Sequence, residues 1–322
     1  MNKKLINSSI FCVSLLAAAW CQAASYSEAI VFGDSLSDSG NYFAQFGEMS
    51  MQPYETENVP SDPYAIGGHH FSNGATWVEK LTREFKIPKS GLPSEVSPGV
   101  FRNYAVGRSR ARDVLLDGVF SEVNLTTQVD SFLEDVNDQA PGAALYIIWI
   151  GSNDVADALS AGNPNEVLGA ALLNTFTQIQ RLYFHGARHF LILNMPNFAI
   201  TPRVLDSVSG YPVEIQAYVL QSISLASVGY NQLLAANLAG MQSALDGMDV
   251  ISLDIFSIMN DIVANPGPYG LDVVDEACVV PDTQGRAYCS NWDRYLFWDA
   301  QHPTREVHGI IAEYAEMAIA SH

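Results

Sequence analysis

The chain has 322 residues, 48% of them hydrophobic and 16% charged, which is enough apolar material to bury a large core and excludes a disordered chain. It carries 16 basic and 35 acidic residues, for a formal net charge of −19. Because such a surface repels phosphate backbones, we expect no nucleic acid partner.

The first 23 residues have the pattern of a secretory signal peptide. Two lysines come before an apolar stretch over Leu5–Ala19, and the small residue Ala23 follows it. A membrane anchor is the alternative, but the stretch is shorter than the roughly 20 residues that a spanning helix needs. A lipoprotein signal ending at Cys21 is disfavoured because a bulky tryptophan precedes that cysteine. We therefore predict a signal peptide over 1–23, a single domain over 24–322, export to the periplasm or out of the cell, and no stable membrane anchor.

Along the remaining chain, short apolar runs alternate with longer segments in which apolar residues recur at helical spacing. The apolar runs predict strands at Ala29–Phe32, Val100–Ala105, Leu145–Ile150, Phe190–Leu193 and Val250–Leu253. Val100–Ala105 is the weakest of these candidates. The helical spacing predicts helices at Ala75–Phe85, Leu125–Val136, Glu166–Phe184, Val213–Leu245 and Thr304–Ile319. This alternation predicts an α/β fold, a three-layer α/β/α sandwich with a central, mostly parallel, five-stranded sheet.

Residues suited to chemistry follow the carboxyl ends of the first four predicted strands and are, in chain order, Ser35, Asn103–Gly107, Gly151–Asp154 and Asn194. Because ligands of open α/β sheets bind beyond these strand ends, we expect one shared site at that edge of the sheet. Three irregular stretches are interpreted as loops around the site rather than as domain boundaries, namely Gly47–Gly74, Lys86–Pro98 and Asn265–Arg294.

A serine, an aspartate and a histidine stand where a serine hydrolase needs them. Ser35 lies in the sequence Gly-Asp-Ser-Leu-Ser, and Asp299 and His302 lie in the sequence Asp-Ala-Gln-His-Pro. A serine hydroxyl is a poor nucleophile at neutral pH and needs a histidine base that a carboxylate orients. Because Asp299 and His302 are three residues apart, one turn can bring the carboxylate to one imidazole nitrogen while the other nitrogen faces Ser35. We therefore predict a catalytic triad of these three residues.

The chain resembles the SGNH hydrolases, the family of GDSL esterases and lipases. The resemblance covers nearly the whole chain after the signal and rests on four blocks in the right order, Phe32–Asn41, Asn103–Gly107, Ile150–Asp154 and Asp299–Thr304. The segment from Phe71 to Leu81 is also similar to one in the longer members, including plant esterases and secreted bacterial lipases and acyltransferases. The resemblance implies the flavodoxin-like SGNH hydrolase fold, with Ser35 as nucleophile, His302 as base and Asp299 as the carboxylate behind the base.

The same resemblance implies an oxyanion hole with three hydrogen-bond donors. They are the backbone N–H of Ser35, the backbone N–H of Gly107 and the side-chain amide of Asn153. Three donors that converge on one point stabilise the oxyanion of a tetrahedral intermediate. The alternatives are that Gly107 is an ordinary turn glycine and that Asn153 caps a helix. Asp154 is expected to be a helix cap without a direct catalytic role.

Two cysteines, Cys278 and Cys289, remain once the signal peptide is removed. In an exported chain they indicate one disulfide, which would hold the loop before Asp299, and a pair of free thiols is the alternative. Adjacent His69 and His70 raise the question of a metal site. Neighbouring side chains point apart and no third ligand is evident, so we expect no metal and no cofactor.

The sequence predicts a secreted serine esterase that cleaves carboxylic esters through an acyl-enzyme intermediate. A phospholipase A, a lysophospholipase or a lipid acyltransferase is the first alternative, a carbohydrate O-deacetylase the second, and an inactive binding module the third. The expected partner is a small-molecule or lipid ester, and a monomer is favoured although the sequence does not define the oligomeric state. Met49, Met51 and Pro53 are candidates for a mobile cover. The candidates for an acyl pocket are aromatic: Tyr42, Phe43, Phe46, Tyr64, Phe71, Phe198, Tyr295, Phe297 and Trp298.

Overall fold

The structure is a computed structural model that describes residues 26–47, 64–114, 123–279 and 288–322. The predicted signal peptide over 1–23 and the predicted cover at Met49, Met51 and Pro53 lie outside the described residues. The helices and strands of the described residues are, in chain order, β1 (Ala29–Gly33), α1 (Asn41–Phe46), α2 (Trp77–Glu84), α3 (Leu125–Asp135), β2 (Leu145–Trp149), α4 (Ser152–Ser160), α5 (Pro164–Phe184), β3 (His189–Leu193), α6 (Pro202–Val208), α7 (Val213–Ala244), β4 (Asp249–Leu253), α8 (Ile255–Ala264), β5 (Val273–Ala277), β6 (Tyr295–Phe297) and α9 (Arg305–Ala320).

The central sheet of the described chain has four parallel strands in the order β1-β2-β3-β4. Its middle strand β2 is buried along its whole length. Burial on both faces of a parallel sheet explains why its strands read as continuous apolar runs. Four of the predicted strands are therefore confirmed. The predicted five-strand count is wrong, because Val100–Ala105 makes a single parallel bridge to β1 instead of a full strand.

This segment is bonded to β1 on one edge and to a loop on its other edge. The N–H of Val31 donates to Arg102 O (3.0 Å), and the N–H of Tyr104 donates to Val31 O (2.8 Å). On the opposite side, the N–H of Asn103 donates to Leu92 O (3.1 Å). The segment still runs along the outer edge of the sheet, so the residues after it reach the carboxyl end of β1.

The sheet separates two hydrophobic cores. In β2, Tyr146 and Ile148 belong to the core formed with α3, α5 and α7. Their neighbours Leu145 and Ile147 belong to the core formed with α2, α8 and α9. Successive strand residues point to opposite faces, so each face of the sheet is covered by its own layer of helices. The predicted three-layer α/β/α fold is confirmed.

The five predicted helices are confirmed as α2, α3, α5, α7 and α9, each with its ends within two residues of the predicted ones. Sequence reasoning missed α1, α4, α6 and α8, which are six to ten residues long. Helix α8, for example, follows β4 after the single residue Asp254, so no turn signal separates the two. In the described ranges, no helix is both long and apolar enough to cross a bilayer.

Candidate active site

Ser35 lies in a tight turn directly after β1. The carboxylate of Asp34 accepts a hydrogen bond from the N–H of Leu36 (3.1 Å), which closes the turn around the serine. Burial raises the pKa of Asp34 to about 6, so its carboxyl group is ionised at neutral pH. The strand approaches its neighbour closely at Gly33, where a Cβ would lie 2.6 Å from Trp149 O. The glycine thus lets β1 end against β2 and present Ser35 at the edge of the sheet.

The structure brings Ser35, His302 and Asp299 into one hydrogen-bonded chain. Nε2 of His302 lies 2.7 Å from Oγ of Ser35, and Nδ1 of His302 lies 2.7 Å from Oδ2 of Asp299. The exposed fractions are 8% for Ser35, 4% for His302 and 2% for Asp299. The serine hydroxyl therefore has a base within hydrogen-bond reach, and that base has a buried carboxylate on its other nitrogen, which is the geometry that nucleophilic catalysis requires.

Asp299 is held by donors from its own turn and from a distant tyrosine. Its Oδ1 accepts the backbone N–H groups of Gln301 (2.9 Å) and His302 (2.7 Å). Its Oδ2, which faces the His302 ring, also accepts the hydroxyl of Tyr64 at 2.7 Å. Burial alone would raise the pKa of Asp299, but the charge of His302 and the hydrogen bonds of the turn outweigh burial and place that pKa below its usual value. The carboxylate is therefore ionised at neutral pH.

Tyr64 contacts the site from behind rather than lining a pocket. It was a candidate for the acyl pocket, yet it is fully buried behind Asp299. It packs in an aromatic and disulfide cluster whose members are Tyr64, Ala65, Cys278, Val279 and Trp298, with Ile66, Tyr288, Cys289, Trp292 and Tyr295 packed against them. The two residues of the Tyr64–Asp299 bond are 235 positions apart, so no local sequence signal could have found it.

The predicted disulfide between Cys278 and Cys289 is present. Its segment runs beside the residues that lead into Asp299. The N–H of Cys278 donates to Phe297 O (3.1 Å), and the N–H of Val279 donates to Trp298 O (2.7 Å). The disulfide is therefore attached by backbone hydrogen bonds to the residues directly before Asp299.

Asn153 lies near Ser35 and His302, and its role as an oxyanion donor stays a prediction. It is the second residue of α4, and it lines the same cavity as Ser35 and His302. One N–H of its side-chain amide donates to Ser109 O at 2.8 Å, which fixes the orientation of the amide. An amide nitrogen carries two protons, so the second remains for a ligand in the cavity. The alternative that Asn153 caps a helix does not fit, because Gly151 is the N-cap residue of α4.

The N–H of Gly107 is engaged elsewhere in this structure. It donates to Oδ2 of Asp38 at 2.7 Å. A side chain at position 107 is excluded, because a Cβ would lie 2.2 Å from the ring of Phe71, and that ring lies 5.3 Å from the His302 ring. Gly107 thus allows Phe71 to pack beside His302, and its role as an oxyanion donor stays a prediction.

Asp38 links the first sequence block to the second, a role that sequence reasoning did not assign. Besides Gly107, it accepts the backbone N–H groups of Gly40 (2.7 Å), Asn41 (2.7 Å) and Tyr42 (3.1 Å). Burial raises its pKa to about 6 although these four hydrogen bonds lower it, so the group is ionised at neutral pH. The buried carboxylate fixes Gly107 relative to the turn that carries Ser35.

The prediction that Asp154 caps a helix is wrong. Asp154 is the third residue of α4 and is fully buried. Its carboxylate accepts the backbone N–H of Ala111 (2.7 Å) and the guanidinium of Arg112 (2.7 Å). Asp154 therefore holds the segment after Gly107 against α4, next to the amide of Asn153.

Two cavities lie near Ser35 and His302. The first, of about 70 Å³, is lined by Ser35, Phe71, Arg108, Arg110, Asn153, Gln301 and His302. The second, of about 40 Å³, has mostly apolar walls and is lined by Leu36, Trp149, Ser152, Pro196, Asn197, Phe198, Ile200, Thr201, Ile255, Met259, Phe297, Gln301, Pro303 and Ile311. Gln301 belongs to both walls. The apolar cavity is also lined by Leu36, Ser152 and Pro303, which are the chain neighbours of Ser35, Asn153 and His302.

The candidate acyl-pocket aromatics fall in different places. Phe198 and Phe297 line the apolar cavity, and Phe71 lines the Ser35 cavity. Tyr64 and Trp298 are buried in the cluster behind Asp299. In the described part of the chain, the other four candidates line neither cavity.

The adjacent residues His69 and His70 contact different side chains. Nε2 of His70 lies 2.8 Å from Oε2 of Glu79. The ring of His69 stacks on Phe43, with centroids 3.5 Å apart. Within the described ranges, no group of three or more His, Cys, Asp or Glu side chains is arranged to hold a metal ion.

Comparison with known proteins gives one family and several relatives. The family described as GDSL-like Lipase/Acylhydrolase has a model that matches residues 30–315. A GDSL esterase/lipase of Arabidopsis thaliana is 29% identical over 330 residues, covering 88% of this chain and 80% of the relative. An acetylesterase of Thermothelomyces thermophilus is 28% identical over 291 residues, covering 88% and 85%. A phosphatidylcholine-sterol acyltransferase of Aeromonas hydrophila is 26% identical over 357 residues, covering 96% of each.

Proposed function

Because the chain belongs to the GDSL-like lipase/acylhydrolase family and is a carboxylic ester hydrolase, we propose that it cleaves its substrate through an acyl-enzyme on Ser35. The observation that carries this proposal is the unbroken hydrogen-bonded chain from Oγ of Ser35 through the ring of His302 to Asp299. The family also includes acyltransferases by name, so hydrolysis and acyl transfer share the first half of the proposed mechanism.

In the first step, Oγ of Ser35 attacks the ester carbonyl and gives its proton to Nε2 of His302. Asp299, ionised and buried, stabilises the imidazolium that forms and keeps Nδ1–H directed at itself. The imidazolium then protonates the leaving alcohol, and the acyl group stays on Ser35. A water molecule attacks this ester and gives a proton to Nε2 of His302. The imidazolium then returns that proton to Oγ of Ser35 as the bond to the acyl group breaks, which releases the acid and restores Ser35. An alcohol in place of water gives acyl transfer by the same path.

The oxyanion of each tetrahedral intermediate is proposed to bind the Ser35 N–H and the free proton of the Asn153 amide. Both belong to the wall of the Ser35 cavity. The N–H of Gly107 points at Asp38, so it adds a third hydrogen bond only if it is shared between Asp38 and the oxyanion. Asn153 is therefore the donor whose removal we expect to cost the most.

The apolar cavity is proposed to hold the acyl chain. It starts beside Leu36, the residue after the nucleophile, and its wall contains Phe198, Phe297 and Met259. Burying a methylene group is worth about 0.8 kcal/mol, so each carbon added to the acyl chain is expected to raise kcat/KM roughly fourfold until the cavity is full. The cavity has a volume of about 40 Å³, so we expect it to be filled by a short extension of the acyl chain beyond acetyl.

Export is part of the proposal. The pattern of residues 1–23 supports a signal peptide, and the disulfide between Cys278 and Cys289 is compatible with an oxidising compartment. The proposed mature protein is a single hydrolase domain over 24–322 that works as a monomer without a metal or a cofactor.

Hydrolysis of p-nitrophenyl esters from acetyl to palmitoyl by the mature protein tests this function, with Ser35→Ala as the matched variant. The expected result is hydrolysis that rises from acetyl to a longer optimum and is lost in Ser35→Ala. Equal hydrolysis by the variant contradicts the mechanism, and an acetyl optimum contradicts the assignment of the apolar cavity.

A further inference from the structure

Gln301 lies at the boundary between the two cavities of the site. It precedes His302 in the chain, and among the described residues it is the only one that lines both cavities. In the proposed mechanism the acyl chain occupies the apolar cavity, which leaves the Ser35 cavity for the alcohol. The ester bond joins these two parts of the substrate. The bond that breaks therefore lies at the boundary, beside Gln301.

The side chain of Gln301 is held from outside the cavities by an arginine of α6. Nη1 of Arg203 donates to Oε1 of Gln301 at 3.0 Å, and the backbone N–H of Arg203 donates to Ala300 O at 2.8 Å. In the described structure Arg203 lines neither cavity. A guanidinium has donors and no acceptor, so the amide oxygen of Gln301 faces Arg203 and the amide nitrogen is directed away from it.

The amide nitrogen of Gln301 is available to a ligand. The backbone N–H of this residue already donates to Oδ1 of Asp299 at 2.9 Å, and its Oε1 accepts from Arg203. Within the described part of the chain, Nε2 has no acceptor, and the residue is partly exposed. An amide nitrogen carries two protons. Gln301 therefore presents oriented and unused N–H donors at the point where the two cavities adjoin.

We propose that Gln301 donates a hydrogen bond from Nε2 to the leaving oxygen of the ester. The carbonyl oxygen of the ester is assigned to the proposed donors at Ser35 and Asn153, so the leaving oxygen is the acceptor that remains at the boundary. When the bond from this oxygen to the acyl carbon breaks, its electron pair stays on the oxygen, and the proton comes from Nε2 of His302. Gln301 gives up no proton.

This hydrogen bond strengthens during the reaction. The leaving oxygen gains negative charge as its bond to carbon breaks, and hydrogen bonds to charged oxygens are about twice as strong as those to neutral ones. A contact that is stronger in the transition state than in the bound substrate lowers the barrier. Gln301 then contributes most when the leaving alcohol is weakly acidic. This inference rests on the proposed acyl-enzyme function and adds to it a donor for the departing alcohol.

Three butanoates whose alcohols differ in acidity test the inference: p-nitrophenyl, phenyl and benzyl butanoate. The measured quantities are kcat/KM for the phenyl and benzyl esters, each divided by kcat/KM for the p-nitrophenyl ester, because kcat/KM covers the departure of the alcohol. The variants are Gln301→Met and Gln301→Glu. Both lack the N–H donors, and the glutamate keeps an oxygen for Arg203. The matched control is Gln216→Met, since Gln216 lies on α7, donates to Tyr211 O at 2.8 Å and lines neither cavity.

The expected result depends on the leaving alcohol. The relative kcat/KM for the benzyl ester is expected to fall about tenfold in both Gln301 variants, as the loss of a hydrogen bond to a charged oxygen implies. The phenyl ester is expected to show a smaller fall, because phenol is more acidic than benzyl alcohol. The Gln216→Met control is expected to keep both wild-type ratios.

Three outcomes overturn the inference while the proposed function stands. They are wild-type ratios in both Gln301 variants, a fall in Gln301→Met alone, which assigns the effect to the lost contact with Arg203, and an equal fall in Gln216→Met. A lower kcat/KM that is the same for all three esters gives wild-type ratios and counts as the first of these. Failure of the wild type to cleave any of the esters, or equal cleavage by Ser35→Ala, contradicts the proposed function and the inference together.

Discussion

Replacing Tyr64 by phenylalanine removes one buried hydroxyl from behind the catalytic carboxylate. The lost hydrogen bond is 2.7 Å long and ends on Oδ2 of Asp299, the oxygen that also faces His302. A hydrogen bond to a charged group contributes about 1.5–3 kcal/mol, so we expect the free energy of unfolding to fall by that amount. Asp299 keeps its bonds to the turn, so only part of this loss reaches the transition state, and we expect kcat to fall roughly tenfold, or about 1.4 kcal/mol, with KM unchanged. The measurements are urea unfolding and the kcat and KM of p-nitrophenyl ester hydrolysis.

Tyr104→Phe is the matched control for Tyr64→Phe. Tyr104 is 4% exposed, and its hydroxyl donates to Oδ2 of Asp135 at 2.6 Å, away from the triad. We expect it to lower the free energy of unfolding by a similar amount and to leave kcat unchanged. If Tyr64→Phe loses stability but keeps the wild-type kcat, Tyr64 supports the fold without positioning Asp299, and the reasoning is refuted.

Three further predictions concern the same site. Asn153→Ala is expected to lower kcat by about 100- to 1,000-fold in steady-state assays with a small change in KM, and an unchanged kcat rules out its role as an oxyanion donor. Cys278→Ser is expected to lower the free energy of unfolding by about 2–4 kcal/mol and to lower turnover by loosening the residues before Asp299; wild-type turnover in this variant removes the link to the site. The pKa of Asp299 lies below its usual value because the charge and hydrogen bonds of the His302 turn outweigh burial. Its ionised form therefore stabilises the folded protein above about pH 4, and this stability is lost as the pH falls through the pKa of Asp299 in the folded protein. The difference in free energy of unfolding between wild type and Asp299→Asn is thus expected to be larger at pH 7 than at pH 3, and an equal difference at both values contradicts the depressed pKa.

The parts of the fold that could be predicted from sequence are those set by local patterns. A strand buried on both faces must be apolar throughout, which identified β1 to β4. The long helices repeat their apolar residues at helical spacing over many turns. The contact between Asp299 and His302 could also be predicted from a local pattern, because both side chains belong to one turn. The short helix α8 was not predicted because its apolar sequence continues directly from β4.

The parts that could not be predicted depend on contacts between distant segments. The bond from Tyr64 to Asp299 and the bond from Gly107 to Asp38 each join separate loops. An aromatic residue near a site is equally compatible with lining a pocket and with packing behind a catalytic group, so composition could not place Tyr64. Val100–Ala105 has a strand-like sequence, yet it makes a single bridge to β1, and the extent of pairing between two distant segments is not encoded in the sequence of one of them.

The most direct test of the central claim is to identify the residue that a fluorophosphonate labels in the mature protein. Labelling is followed by peptide mass spectrometry, with Ser35→Ala and His302→Ala as the comparison variants. The mechanism predicts one labelled peptide with the adduct on Ser35, no adduct in Ser35→Ala, and much slower labelling in His302→Ala. An adduct on another serine, or equal labelling of the Ser35→Ala variant, would contradict the assignment of Ser35 as the nucleophile.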